Sequence, residues 1–82
     1  MEIRQLKYFI AAAKHLNFTK AAKECSIVQT AMTQQVANLE SELKVKLFER
    51  THRNLSLTPA GERFLKSAKK IINQAKISAG DM

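Results

Sequence analysis

The sequence is poor in the residues from which rigid scaffolds and soft linkers are made. It has one cysteine, one proline, two glycines and no tryptophan in 82 residues. Cys25 alone cannot close an internal disulfide. Without a Cys/His cluster at zinc-ligand spacing, neither a disulfide framework nor a zinc finger is open to the chain. Gly61 and Gly80 are too few for a phosphate-cradling loop, a collagen repeat or a flexible linker. The longest charge-free apolar stretch, Tyr8 to Ala13, is far shorter than the roughly 18 residues that cross a bilayer. No secretory leader pattern is present, so a cytoplasmic protein without a membrane partner is expected. His15 and His52 fall in different elements with no carboxylate or thiol partner visible in the sequence. No enzyme, metal or cofactor is therefore expected.

What is present suits one small domain. Hydrophobic residues form 45% and charged residues 26% of the chain, which is ordinary for a folded protein. At this length folding buries roughly 60 to 65 per cent of the unfolded surface, and a single core must do the stabilising. The net charge of +7 makes a polyanion the first candidate partner. That charge is uneven. Residues 1–43 are nearly balanced, whereas Lys44, Lys46, Arg50, Arg53, Arg63, Lys66, Lys69 and Lys70 face only Glu49 and Glu62 over residues 44–70.

Leu6, Phe9, Ile10 and Ala13 recur at i, i+3, i+4, i+7, the stripe of a first helix over residues 3–16. Asn17 is expected to end it. Thr19 is then expected to cap a short second helix with Ala21, Ala22 and a buried Cys25 on its inward face. After a break at Ser26, Ile27 and Val28, a third helix buries Met32, Val36, Leu39 and Leu43. Its opposite face holds Thr30, Thr33, Gln34, Ala37, Asn38 and Ser41, with Gln29 at the start, and is polar without being charged. Residues 47–51 and 55–58 read as two short strands around His52, Arg53 and Asn54. Thr58-Pro59 has the chemistry of a helix start, a capping hydroxyl followed by proline. The last helix is expected to run to about Ser78, with Gly80 ending it. Leu65, Ala68, Ile72, Ala75 and Ala79 alternate by three and four along it, with Phe64 and Ile71 beside them. So wide a stripe calls for a second subunit.

Two helices joined by a tight turn, the second offering glutamine and threonine outward, suit insertion into the major groove of DNA. Glutamine can bond both N6 and N7 of adenine, and threonine can bond a base edge or touch the thymine methyl. Gln29, Thr30, Thr33 and Gln34 are the candidates. Arg50 and Arg53 near a hairpin tip could reach phosphates and a narrow minor groove. The lesser alternative is a solvated helix face that is low in charge by chance. A protein-interaction module using the last helix is the competing function. The phenylalanines are expected in the core, which leaves no stacking platform for single-stranded nucleic acid.

The succession Leu6-Lys7-Tyr8-Phe9, Phe18-Thr19-Lys20-Ala21-Ala22, Gln29-Thr30-Ala31-Met32-Thr33-Gln34-Gln35-Val36, Leu39-Glu40, Leu47-Phe48-Glu49-Arg50 and Leu57-Thr58-Pro59-Ala60-Gly61 resembles the N-terminal DNA-binding domain of LysR-type transcriptional regulators. The resemblance implies a mainly α fold, a winged helix-turn-helix over residues 1–58, and a linker helix over 59–82 that pairs two copies. It implies binding to double-stranded DNA at interrupted palindromes. By position it places Gln29, Thr30, Thr33 and Gln34 on bases, Arg53 in the minor groove, and Thr19, Asn38 and Arg50 near phosphates. Phe64, Leu65, Ala68, Ile71, Ile72 and Ala75 would form the dimer interface. Val28 stands where such domains commonly have a capping serine, and Lys44 and His52 where they have glycines. Thr30 and Gln34 replace a usual proline and a frequent arginine, which implies a base preference of the chain's own. Relatives continue into an effector-binding domain, which is absent from these residues, so no effector is assigned.

Overall fold

The computed structural model describes residues 1–52 and 54–80, with side chains as far as Gln74. Along the chain lie α1 (Ile3–His15), α2 (Phe18–Glu24), α3 (Gln29–Leu43), β1 (Phe48–Thr51), β2 (Asn54–Leu57) and α4 (Pro59–Gly80). This is the expected winged helix-turn-helix, three packed helices and a hairpin followed by a long helix.

The α1 stripe buries Leu6, Phe9 and Ala13, and at its start the Gln5 side chain accepts from the Glu2 backbone N–H. The helix stops one residue earlier than expected. Leu16, not Asn17, makes the left-handed C-cap at φ 49°, and its N–H bonds Ala12 O at 2.8 Å. Asn17 instead starts α2, where its Oδ1 accepts from Lys20 N at 2.9 Å, which corrects the placing of Thr19 as the cap. An N-cap needs extended backbone just before the first turn, and Asn17 has it while Thr19 lies inside the helix. Ala21 and Ala22 are fully buried, and their small size lets α1 and α3 close on α2.

The turn into α3 closes by two reverse bonds, Ser26 N to Lys23 O and Ile27 N to Ala22 O, with Ser26 left-handed at φ 58°. Cys25 is half-buried rather than buried. The same pattern ends α3, where Lys44 N bonds Ser41 O and Val45 N bonds Glu40 O around Lys44 at φ 58°, ψ 38°. A lysine therefore occupies backbone that favours glycine, at a cost of about 1 kcal/mol. At the other end Val28 is the N-cap and offers no side-chain bond.

β1 and β2 pair antiparallel with Phe48 opposite Leu57 and Thr51 opposite Asn54, so the strands begin one residue later and earlier, respectively, than the sequence suggested. The turn demands positive φ at His52, which has 37°. Thr58 Oγ1 accepts from Gly61 N at 2.9 Å and donates to Lys46 O at 2.6 Å, so one hydroxyl caps α4 and ties it to the entry of β1. The helix then continues through Gly80, two residues past the expected Ser78.

Phe9 centres an aromatic cluster, with ring centroids 5.5 Å from Phe48 and 5.2 Å from Phe64, and Phe18 lies 5.7 Å from Phe48. All four phenylalanines are thus part of the core or packed against it. Ala68 is 0% exposed and Ile72 is buried, both within the single chain, where α4 packs on α1. Both side chains, expected at a dimer interface, are thus already covered within their own chain. The core therefore crosses the expected boundary at residue 58.

Candidate nucleic-acid interface

The outward side of α3 is built by its own period. Met32, Val36 and Leu39 point into the core, which turns Gln29, Thr30, Gln34, Ala37, Asn38 and Ser41 to solvent and leaves Thr33 half-buried. The face carries amides and hydroxyls that bond one another. Thr33 Oγ1 donates back to Gln29 O at 3.0 Å, the usual local option for a helical threonine. Gln34 Nε2 donates to Asn38 Oδ1 at 2.8 Å, one turn on. These contacts are exposed and exchangeable, so each group keeps further donors or acceptors for a base edge.

Thr19 lies beside the start of this face, its Oγ1 donating to Gln29 Oε1 at 3.0 Å. The short turn between α2 and α3 thus brings together two of the residues that the sequence singled out. Arg50 is not at the hairpin tip. It sits opposite Leu55, one pair back from the turn, with its guanidinium carbon 4.8 Å from the Phe18 ring centroid. That cation–π contact fixes an exposed positive charge at the start of α2. Leu16, Asn17, Phe18, Gln29, Arg50, His52, Asn54 and Leu55 line a shallow groove of about 350 Å³ that joins the hairpin to the start of α3. Asn38 lies further along α3, away from this groove. Arg53 lies outside the described residues, as does the side chain of Ala75.

Three contacts had no reading in the sequence. Glu40, near the end of α3, accepts from Leu47 N at 2.7 Å and Phe48 N at 3.2 Å. Phe18 serves as the platform for Arg50. His15, taken to lack a carboxylate partner, has its Nε2 2.7 Å from Glu24 Oε1, with Lys14 Nζ 3.1 Å from the same oxygen. The hydrogen bond from His15, then that from Lys14, holds the Glu24 carboxyl below its ordinary range. Burial pushes the Cys25 thiol up, and the Glu24 charge adds to it. Periodicity cannot reveal such pairs, because they join different elements. A residue-by-residue comparison of helix ends is the only sequence signal that could have suggested the pairing of His15 with Glu24. Among the described residues no group of three or more His, Cys, Asp or Glu side chains could hold a metal, and no helix is long and apolar enough to cross a membrane.

A three-helix core with an exposed second helix of the turn pair and a hairpin wing defines the helix-turn-helix class. The family model described as bacterial regulatory helix-turn-helix protein, lysR family, matches residues 3–62. The chain belongs to that family. It is 47% identical over 78 residues to the HTH-type transcriptional regulator ClcR of Pseudomonas putida, a match that covers 95% of this chain and 26% of ClcR. The chain thus spans about a quarter of the length of that relative. Among solved structures, the CbnR DNA-binding domain in complex with DNA superposes with a TM-score of 0.94 at 46% identity, covering 99% of this chain and 93% of that one. The BenM DNA-binding domain on benA site 1 DNA superposes with a TM-score of 0.93 at 38% identity, covering 98% of this chain and 90% of that one.

Proposed function

We propose that the chain is the DNA-reading part of a bacterial transcriptional regulator, that it acts in the cytoplasm without catalysis, and that it binds specific double-stranded sites as a homodimer. The observation that carries this is the exposed, uncharged amide and hydroxyl face of α3, set on a basic domain. In this reading α3 enters the major groove, where Gln29, Thr30, Thr33 and Gln34 meet base edges. Thr19, Asn38 and Arg50 stand beside phosphates, and Arg53 enters the minor groove. The two CbnR and BenM domains it resembles were solved on DNA. Residues 1–58 read and residues 59–82 pair, with a two-fold axis that brings two copies of α3 to successive major grooves of an interrupted palindrome. On α4, Phe64 and Leu65 are half-buried and Ile71 is 38% exposed, so these apolar side chains are open to a partner helix.

Selection of duplexes from a random pool, followed by anisotropy titration of the selected site against random duplex, tests the reading. The selected site should bind about a thousandfold tighter or more, with affinity falling steeply as salt rises. Gln34→Ala should reduce discrimination at one base more than affinity for random duplex, and Arg53→Ala should weaken binding most on A·T-rich flanks. Equal affinity for selected and random duplex would overturn the proposal.

A further inference from the structure

Among the described residues, Glu40 is the α3 side chain that hydrogen-bonds the backbone at the root of the hairpin. Its Oε2 accepts from Leu47 N at 2.7 Å and from Phe48 N at 3.2 Å, and Phe48 is the first residue of β1. The side chain is only 12% exposed, whereas Lys46, 4.0 Å from the other carboxylate oxygen, is 82% exposed. The ion pair with Lys46 is therefore loose. The bonds to the backbone, charge-assisted and sheltered, are the stronger link.

The position of this link matters more than its strength. Among the described residues the hairpin meets α4 through β2 and the first two helices through Phe48 and Arg50 of β1, and Glu40 adds its bonds from α3 at the root. A two-stranded hairpin is marginally stable alone, so its anchors at the root set its direction. Four residues of β1 reach roughly 13 Å at about 3.3 Å each. A swing of about 10° at the root then moves the tip by roughly 2 Å, enough to break a hydrogen bond. We infer that Glu40 is a positioning residue, whose carboxylate sets the angle between α3 and the hairpin so that both grooves of one site are read together. This rests on the DNA-binding reading above.

The test uses the full chain with Glu40→Gln and Glu40→Ala. Three quantities are measured: amide exchange at Leu47 and Phe48, preference for A·T over G·C flanks, and discrimination at the base read through Gln34. Amide exchange should quicken at Leu47 and Phe48 in both variants while Phe9 and Leu39 keep their protection. Glu40→Ala should lower the flank preference about threefold or more, leaving base discrimination within about twofold. Glu40→Gln, which keeps one acceptor oxygen, should fall between. An unchanged flank preference overturns the inference, and so does an equal fall in both discriminations, which is what general loss of fold would give. If Glu40→Ala fails to fold, Glu40→Gln decides by the same criteria. If the parent chain shows no preference for any duplex, the DNA-binding reading fails by itself. In that case the tether still stands or falls on amide exchange in Glu40→Gln.

Discussion

Replacing Gly61 by alanine tests how the hairpin and α4 are held together. A Cβ at this position would lie 2.1 Å from Leu47 O, 3.0 Å from Leu47 C and 3.1 Å from Leu57 Cδ2. Ordinary carbon–oxygen contacts begin near about 3.3 Å, so the overlap with the carbonyl is about 1.2 Å. A side chain could rotate away from such a clash, but this carbonyl is backbone and accepts from Thr58 N at 3.0 Å. Relief requires α4 to withdraw from the root of β1, which also strains the 2.9 Å bond from Gly61 N to Thr58 Oγ1. Overpacking costs about 1 to 3 kcal/mol, and a backbone clash belongs at the upper end. Against this, alanine is about 1 kcal/mol better than glycine in a helix. The net expectation is a loss of about 2 kcal/mol, or a melting temperature lower by about 8 to 16 °C for a domain of this size. Urea denaturation followed by circular dichroism should show the midpoint falling with an unchanged slope. A Gly61→Ala chain as stable as the parent, or stabilised by about 1 kcal/mol as at an exposed helical glycine, would refute the close-approach reasoning.

Other perturbations follow from the same geometry. Lys44→Gly relieves a left-handed lysine at φ 58° and should stabilise by no more than about 0.5 kcal/mol once the entropy of the unfolded glycine is counted, read as a slightly higher melting temperature. Val28→Ser supplies the missing cap of α3 and should add about 1 kcal/mol in the same assay. Glu24 is held below its ordinary value of 4.5 by His15 and Lys14, so its contribution is present above pH 4.5 and lost as the pH falls through the lowered value. The stability difference between the parent and Glu24→Gln, followed against pH, should accordingly vanish in acid, and a difference that grows on acidification would reverse the assignment. Ile71→Glu should give a monomer in sedimentation with its melting temperature kept, because Ile71 is exposed, whereas Ile72→Glu buries a charge and should cost about 3 kcal/mol or more.

The helices were legible because their information is local. Leu6, Phe9 and Ala13 repeat at the helical period, and the structure buries all three; Met32, Val36 and Leu39 do the same in α3. Thr58-Pro59 announced α4 because a capping hydroxyl and a ring-fixed φ act within one turn. Glycine-like sites at Lys44 and His52 were legible only through the family pattern, and both do take positive φ. Less legible were the helix ends. Asn17 and Thr19 have similar capping chemistry, and only the backbone left by Leu16 decides between them. The stripe on α4 was read as one surface, yet part of it belongs to the chain's own core. Periodicity gives the width of an apolar face and not what covers it, so Ala68 and Ile72, which α1 covers, could not be told from Ile71, which it does not.

What no local pattern could give is the convergence on Leu47. Its side chain is fully buried, its N–H donates to Glu40 of α3, its carbonyl accepts from Thr58 N, and the same carbonyl leaves room only for a glycine at position 61. Neighbouring Lys46 O accepts the Thr58 hydroxyl. Helix α3, the hairpin and α4 thus meet at one short stretch of backbone, through partners 7 to 14 positions away in the sequence. Loops and caps of this kind are not set by propensity, because each bond forms only when the other elements are already in place. Glu40, Leu47, Phe48, Thr58 and Gly61, separate on the sequence, therefore meet at this one stretch. A change at any of them should alter the angle between α3 and the hairpin before it alters the base-facing side of α3.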